Sequence, residues 1–441
     1  MAFQHYKLHA QPRYLMYCMA VLIFAVIFGI GVFYIYEDQQ TSLWSALPRA
    51  DVFNFTGINP KHPQMFYPRN VSTRNPEADV QTTFKLVFPA SKTIPYFHRP
   101  VSSTPNGRFR KRFTYDNYSL DDIDTSGNES KLILFYNRPF WFGVNQCIQG
   151  IQDCPQKACT CSNDPEDIAK ADAVIIDAVD LKDATPPTSI RRADQMWIMF
   201  GLESPVHYHN ENYLRPQWRQ AFNWTMTYRL DSDIVLPCNI LQRRKKASQT
   251  NFTKVALNKT KSVLWFVSNC KTPSKRESYV RELAKYITVD IYGQCGPFNC
   301  SRNCGDLYDN QYKFYLSFEN SLCIDYITEK LFKTYNYNIV PVVRGGADYG
   351  SLVPNGTYIN AADFSSPGKL ANYLKYLEQN ITAYTEILRE KARYSPNGEN
   401  VHSSFCDMCT KLHNLDKYSN YYHDHVKWLK KDICGTGGPV L

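Results

Sequence analysis

Three short segments of the chain bring together side chains that can move a proton or grip an anion. The first is Gly201-Leu202-Glu203-Ser204-Pro205, directly after an apolar run at 196–202. A carboxylate there can take a proton from a sugar hydroxyl within hydrogen-bond reach, although a Glu before Ser-Pro also suits a plain turn. The second is Val267-Ser268-Asn269, followed by Lys275 and Arg276 at the start of a helical pattern. A helix N-terminus offers free N–H groups and a positive dipole end. The planar fork of Arg276 can hold a phosphate with two hydrogen bonds, and a solvated basic residue is the plainer reading. The third runs from Lys313 to Leu331. An apolar run ends in Glu319-Asn320, a short loop crosses Tyr326, and Thr328 or Asp325 caps a helix that opens with Glu329 and Lys330. There a carboxylate can accept ribose or sugar hydroxyls while an ammonium meets phosphate.

Two further clusters could bind metal. Asp231-Ser232-Asp233 is a D-x-D triplet of the kind that elsewhere holds a divalent cation and a nucleotide diphosphate. It follows Tyr228-Arg229-Leu230 rather than an evident nucleotide-binding strand, so a structural or acceptor-side role is expected. Cys406 and Cys409 with His423 and His425 could offer four zinc ligands, but in an oxidising compartment a structural disulfide is expected instead. No metal site is therefore assigned.

The elements that must position these residues are legible as apolar runs. Runs of strand length start at Lys131, Ala171, Met196, Ser262, Val289, Phe314 and Ile339, rich in β-branched and aromatic residues. Such runs suit strands of a parallel sheet buried on both faces. Helical patterns lie between them. Ser274-Lys-Arg-Glu277 reads as a capping box, with Val280, Leu283, Ala284 and Ile287 at helical spacing. A second helix is expected near Thr328 and a third from Ser366 to Gln379. The alternation implies a doubly wound α/β architecture, with two such units joined through the basic stretch from Arg243 to Lys261. Ligands then bind beyond the carboxyl ends of the strands, which is where the three segments fall.

Residues 15–36 form an apolar run of 22 residues without a charge, long enough to cross a hydrocarbon core. Lys7 and Arg13 precede it and Glu37 and Asp38 follow, so residues 1–14 are expected in the cytosol. A cleavable signal peptide would have a shorter apolar region. Residues 37–130 hold nine Pro and four sequons and read as an extended stem. The domains expected beyond it are 131–250 and 251–441. Ten Asn-x-Ser/Thr sequons lie past the anchor, at Asn54, Asn70, Asn117, Asn128, Asn223, Asn251, Asn258, Asn299, Asn355 and Asn380, which suits glycosylation in a lumen. Fourteen Cys, thirteen of them past the anchor, agree with an oxidising lumen. An odd number leaves at least one free or paired between chains, so a homodimer stays open. With 44% hydrophobic and 14% aromatic residues the chain is not mainly disordered. A net charge of +9 over 441 residues suits a basic site for an anion, not a nucleic-acid-binding tail.

Phe318-Glu-Asn-Ser321, Asp325-Tyr-Ile-Thr-Glu-Lys330 and Val340-Pro-Val-Val343 closely resemble the signature of the α1,3-fucosyltransferase family, of the type grouped as glycosyltransferase family 10. Leu202-Glu-Ser-Pro205, Phe222 to Arg229, Asp231-Ser-Asp-Ile234, Trp265-Phe-Val-Ser-Asn269 and Cys406-x-x-Cys409 are similar to other family segments in the same order, and Asp290 to Pro297 resembles the invertebrate branch. The resemblance covers about 131–434. It implies a GT-B fold, in which two Rossmann-like domains face a cleft, and a type II Golgi membrane enzyme. The implied reaction moves L-fucose from GDP-β-L-fucose, with inversion, to the 3-hydroxyl of N-acetylglucosamine. Glu203 then resembles the general base. Ser268, Asn269, Arg276, Asn320, Tyr326, Glu329 and Lys330 resemble the GDP-fucose contacts, and Tyr228 and Arg229 match a segment near the donor. No metal cofactor is obligatory in such a family, although Mn2+ or Mg2+ can stimulate members. The acceptor expected is the Asn-linked core N-acetylglucosamine of a glycoprotein N-glycan. A Lewis-type antennal acceptor, or an inactive glycan-binding scaffold, are the alternatives. The stretch from His207 to Arg219 is expected to read the acceptor.

Overall fold

A computed structural model describes residues 129–436, apart from 140, 153, 209–210, 303 and 398–399. These residues fall in one compact unit. The expected tail, anchor and stem, with Asn54, Asn70, Asn117 and Asn128, lie outside the described residues. No helix among the described residues is long and apolar enough to cross a membrane.

Two parallel sheets organise the unit. The first comprises β1 (Lys131–Asn137), β2 (Cys159–Ser162), β3 (Ala173–Asp177), β4 (Met196–Gly201), β5 (Trp224–Thr227) and β6 (Ile234–Val235), in the order β2-β1-β3-β4-β5-β6. Successive side chains feed opposite cores, as strand geometry requires. Ile133, Ile175, Ile198 and Phe200 enter one cluster while Leu134, Val174, Ile176, Trp197 and Met199 enter the other. That is why these strands read as continuous apolar runs. After β7 (Ile240–Arg243) the second sheet follows, from β8 (Lys261–Phe266), β9 (Val289–Tyr292) and β10 (Tyr312–Phe318). β11 (Leu322–Cys323) stands outside this sheet, which β12 (Val340–Arg344) and β13 (Ile359–Asn360) complete in the order β13-β12-β10-β8-β9. β14 (Tyr394–Asn397) pairs with β7, and β15 (Cys434–Gly435) pairs with β11, both antiparallel. In each parallel sheet the first strand of the half has its chain successor on one side and the third strand on the other. A crevice therefore opens at the carboxyl ends of β1 and β3, and again at those of β8 and β10.

The seven expected strands and the helices near Thr328 and Ser366 are present, the last as Pro367–Gln379 capped by Ser366. Several boundaries differ from expectation. The stretch from Arg243 to Lys261 is not all linker: Asn251 caps a helix, Phe252–Asn258, whose Phe252 and Ala256 enter the second core. Ser274 does not cap the next helix. That helix is Arg276–Leu283, preceded by Lys275 with φ of 50° in the left-handed region, and Glu277 accepts instead from Thr272 Oγ1 at 3.0 Å. The chain beyond β14 also leaves the second half. Phe405, Met408, Cys409 and Leu412 pack into the first core, and Leu429 beneath its other face.

Disulfides fasten that return. Cys154 joins Cys406 and Cys159 joins Cys409, across 252 and 250 residues of sequence. Cys406 and Cys409 are thus both bridged, though not to each other, because both face the first half from the helix Asn400–Leu412. Cys147–Cys161, Cys270–Cys295, Cys300–Cys304 and Cys323–Cys434 complete the set, and Cys238 is the free thiol among the described residues. The zinc alternative loses its thiolates to these bridges.

Cross-links that close long loops constrain the unfolded chain most. Replacing Cys159 and Cys409 by Ser is expected to lower unfolding free energy by about 2–5 kcal/mol in a denaturant titration. The same change at Cys300 and Cys304, which close a separation of 4 residues, is expected to cost clearly less. Equal losses would show that loop closure is not what the long bridges contribute.

Candidate active site

A cavity of about 730 Å3 opens between the two halves. Its wall from the first half comes from strand ends: Asn137, Arg138 and Trp141 after β1, Asp177 and Asp180 after β3, Leu202 and Glu203 after β4, and Tyr228 after β5. The facing wall is Tyr326, Ile327, Thr328, Glu329 and Lys330, with Cys238 beside them. Carboxyl ends of parallel strands thus line it on the first-half side, as an open α/β sheet demands, and a loop and helix start line it on the other.

Glu203 is half-buried on this wall. One of its oxygens, Oε1, accepts the backbone N–H of Ser204 at 2.9 Å and the hydroxyl of Tyr326. The amide Nδ2 of Asn320 approaches the same oxygen at 3.5 Å. Tyr326 and Asn320 belong to the second half, so the carboxylate of one half is held by donors of the other. Tyr228 leans on Tyr326 edge to face, with centroids 4.9 Å apart. Its own hydroxyl is buried without a partner.

Opposite lies a buried charge cluster. Glu319, at the end of β10, is 0% exposed. Its carboxylate accepts the backbone N–H of Thr328 at 2.8 Å and the Thr328 hydroxyl at 2.9 Å, and pairs with Lys330 Nζ at 3.3 Å. Burial pushes the Glu319 carboxyl up, against the pull of the Lys330 ammonium. For Lys330 burial works the other way, but the charges of Glu319 and Glu329 outweigh it and leave the ammonium pKa raised. Lys330 therefore stays charged at the cavity wall. Thr328 caps the short helix Glu329–Phe332, which directs that helix start into the same space.

Of the residues singled out in the sequence, Glu203, Tyr228, Tyr326, Glu329 and Lys330 line the cavity, and Asn320 reaches it through Glu203. Ser268, Asn269 and Arg276 do not line it; they follow β8, and Arg276 reaches from there to the end of β10. Arg276 is 4% exposed and donates to the carbonyls of Phe318 at 2.8 Å and Asn269 at 3.3 Å, while its Nε is buried without a partner. Burial lowers the guanidinium pKa and Glu319 opposes that shift.

Two expectations change. Arg229 does not face the cavity: it pairs with Asp231 at 2.6 Å, donates to the Trp428 carbonyl and stacks 3.9 Å over the Trp428 ring. It anchors the returning C-terminal segment. In the region from His207 to Arg219, Tyr213 and Trp218 are core residues, while Glu211, Arg215, Gln217 and Arg219 are exposed. The first-half rim consists instead of the residues after β1 and β3, which the strand-end rule alone could have flagged. Asp233 of the D-x-D triplet is engaged by Thr225, Asn420 and Tyr422. Asn223 is also built into the fold, accepting from the Trp197 N–H at 3.0 Å and donating to the Asn420 carbonyl at 3.3 Å. Its side chain is half-buried, whereas Asn251, Asn258, Asn299 and Asn355 are exposed.

Comparison with known proteins agrees along most of the described chain. The family profile described as Fucosyltransferase, N-terminal, matches residues 128–239, and Glycosyltransferase family 10 (fucosyltransferase) C-term matches 256–428. The Drosophila melanogaster glycoprotein 3-alpha-L-fucosyltransferase A is 35% identical over 378 residues, 77% of this chain and 72% of that protein. A Homo sapiens 4-galactosyl-N-acetylglucosaminide 3-alpha-L-fucosyltransferase is 33% identical over 332 residues, 72% of this chain and 83% of that one. A crystal structure of an alpha1,3-fucosyltransferase with GDP-fucose aligns with a TM-score of 0.41 at 17% identity, over 61% of this chain and 84% of its own.

The Glu319–Lys330 pair makes stability depend on pH. A folded pKa raised above 4.5 means that Glu319 contributes most below its unfolded pKa and loses that contribution as pH rises through the folded one. Lys330→Met strips the counter-charge and is expected to lower stability by about 3 kcal/mol at pH 7. The loss should shrink as pH falls and Glu319 takes up a proton. Denaturant titrations of both proteins across that range check it, and a pH-independent difference would refute it.

Proposed function

We propose that this chain, which belongs to the fucosyltransferases of glycosyltransferase family 10, moves L-fucose from GDP-β-L-fucose in α1,3 linkage to N-acetylglucosamine of glycoprotein glycans. The observation that carries the reading is the placement of Glu203 and Lys330 on facing walls of one cavity. As the acceptor hydroxyl attacks the anomeric carbon of fucose, its proton passes to the Glu203 carboxylate. The bond from that carbon to the GDP oxygen breaks on the opposite side, which inverts the configuration. Negative charge grows on the departing diphosphate, and fixed cations placed before the reaction stabilise it. Lys330 supplies one, and the N–H groups at the start of its helix add their dipoles.

Ser268, Asn269, Asn320 and Arg276 occupy the crevice between β8 and β10, where such sheets take up nucleotides. The unpartnered Nε of Arg276 and hydroxyl of Tyr228 are donors that a bound ligand would satisfy. The name of the Drosophila relative supports a glycoprotein acceptor, and we read it as the Asn-linked core N-acetylglucosamine. Similarity to the human enzyme named for a 4-galactosyl-N-acetylglucosaminide favours an antennal acceptor as the second reading. Metal is read as dispensable, because protein donors already engage Asp233. The six disulfides support a lumenal, oxidising compartment, consistent with a Golgi enzyme anchored by residues 15–36.

Glu203→Gln is expected to keep GDP affinity and lose about 10²–10⁴-fold in kcat, while Lys330→Ala weakens donor binding as well. Full turnover in the first variant would remove Glu203 from the role. GDP-fucose with a panel of core and antennal glycans, followed by linkage analysis, identifies the acceptor. GDP binding without turnover on any acceptor would favour a scaffold. An assay in EDTA checks the metal reading.

A further inference from the structure

We infer that Tyr326 is a positioning residue for the base: the donor-binding half uses its hydroxyl, with Asn320, to hold Oε1 of Glu203, so that Oε2 is the oxygen that receives the acceptor proton. The inference rests on the reading of Glu203 as the base and deepens it.

The geometry is asymmetric. A carboxylate can accept about four hydrogen bonds, two on each oxygen. Among the described residues the Ser204 N–H, the Asn320 amide and the Tyr326 hydroxyl all reach Oε1, and no described hydrogen bond reaches Oε2. Two firm donors and a long third on one oxygen fix the plane of the group and leave the other oxygen with its lone pairs. A base so held need not reorient as the proton arrives.

Tyr326 suits this task better than proton transfer. It is 2% exposed. Burial, and then the charge of Glu203, push its hydroxyl well above the ordinary range, so it keeps its proton and remains a donor. Its ring sits in a small buried cluster with Tyr228, Cys323 and Ile433. Tyr228 packs against it from the first half. Asp325, the preceding residue, takes a left-handed φ of 61° and accepts the Leu230 N–H at 3.1 Å. Cys323, in the same small cluster, is bridged to Cys434. The loop that docks Tyr326 on Glu203 continues into Thr328 and Lys330. One segment therefore orients the base and presents the cation to the leaving group. The other titratable groups facing Glu203 are Tyr208 and Tyr228, with Asp177 and Arg138 on its own wall and Lys330 and Glu329 across the cavity.

The test compares Tyr326→Phe, Asn320→Ala and Glu203→Gln with the full chain. Tyr326→Phe is expected to lower kcat about 10–100-fold, the effect of one hydrogen bond to a charged group. GDP affinity and KM for GDP-fucose should stay within about twofold. The acid limb of the kcat–pH profile should move to higher pH, because a carboxylate that loses a donor holds its proton more tightly. Asn320→Ala, at a residue of the nucleotide crevice, should move the acid limb the same way more weakly, and that limb carries the test if Tyr326→Phe does not fold. A drop in GDP affinity in Tyr326→Phe, or an unmoved acid limb in both variants, overturns the inference and makes Tyr326 a donor contact or a packing residue. Turnover retained in Glu203→Gln instead refutes the base itself, whatever Tyr326→Phe does.

Discussion

The site depends on burying one carboxylate. Glu319 ends a central strand inside the second half, where an unpaired charge would be costly. The chain compensates by folding back so that Thr328 supplies its N–H and hydroxyl and Lys330 its ammonium. That closure leaves residues 320–327 as a tight loop with little freedom. Its Ser321 meets Ser204, its Asp325 meets the Leu230 N–H, and its Tyr326 meets Glu203. All three contacts cross to the first half. Asp325 bears a left-handed conformation that costs an L-residue about 1–2 kcal/mol, which the hydrogen bond from Leu230 offsets. A local demand for charge compensation thus becomes the contact that joins the halves.

How much of this was legible follows from how each signal arises. Strands buried on both faces, such as Ala173–Asp177 and Met196–Gly201, announce themselves because every side chain is apolar or small. The edge strand Cys159–Ser162 does not, since its side chains are cysteines and hydroxyls that pair with distant elements. The strand-end rule located Glu203, Tyr326 and Lys330 because their positions are set by local chain order. The resemblance put Arg229 near the donor, but its partner Trp428 lies 199 residues away. The capping box at Ser274 fitted the letters of a local rule, yet Ser274 Oγ donates to the Glu319 carbonyl at 2.7 Å. Tertiary pairing decided there, which a short window cannot see.

The path of the chain has a mechanical consequence. It enters the second half beside β7 and leaves it after β14, and those two strands pair over four residues, from Ile240–Asn397 to Arg243–Tyr394. Leu241 packs with Leu331 and Phe332, so this ribbon is part of the second half's own core. The returning helix Asn400–Leu412 is then riveted to the first half by two bridges. The two crossings lie side by side, and a third tie joins the halves where Cys323 is bridged to Cys434, beyond Leu429 in the core of the first half.

The two kinds of contact at the site are held differently. The Glu319–Thr328–Lys330 cluster lies within the second half alone. The contacts of Ser321, Asp325 and Tyr326 cross between halves, and the Cys323–Cys434 bridge fixes the loop that makes them. On the proposed reading of Glu203 as the base, the contact that joins the halves is also the one that orients it. The same loop that makes the halves cohere then also serves the chemistry.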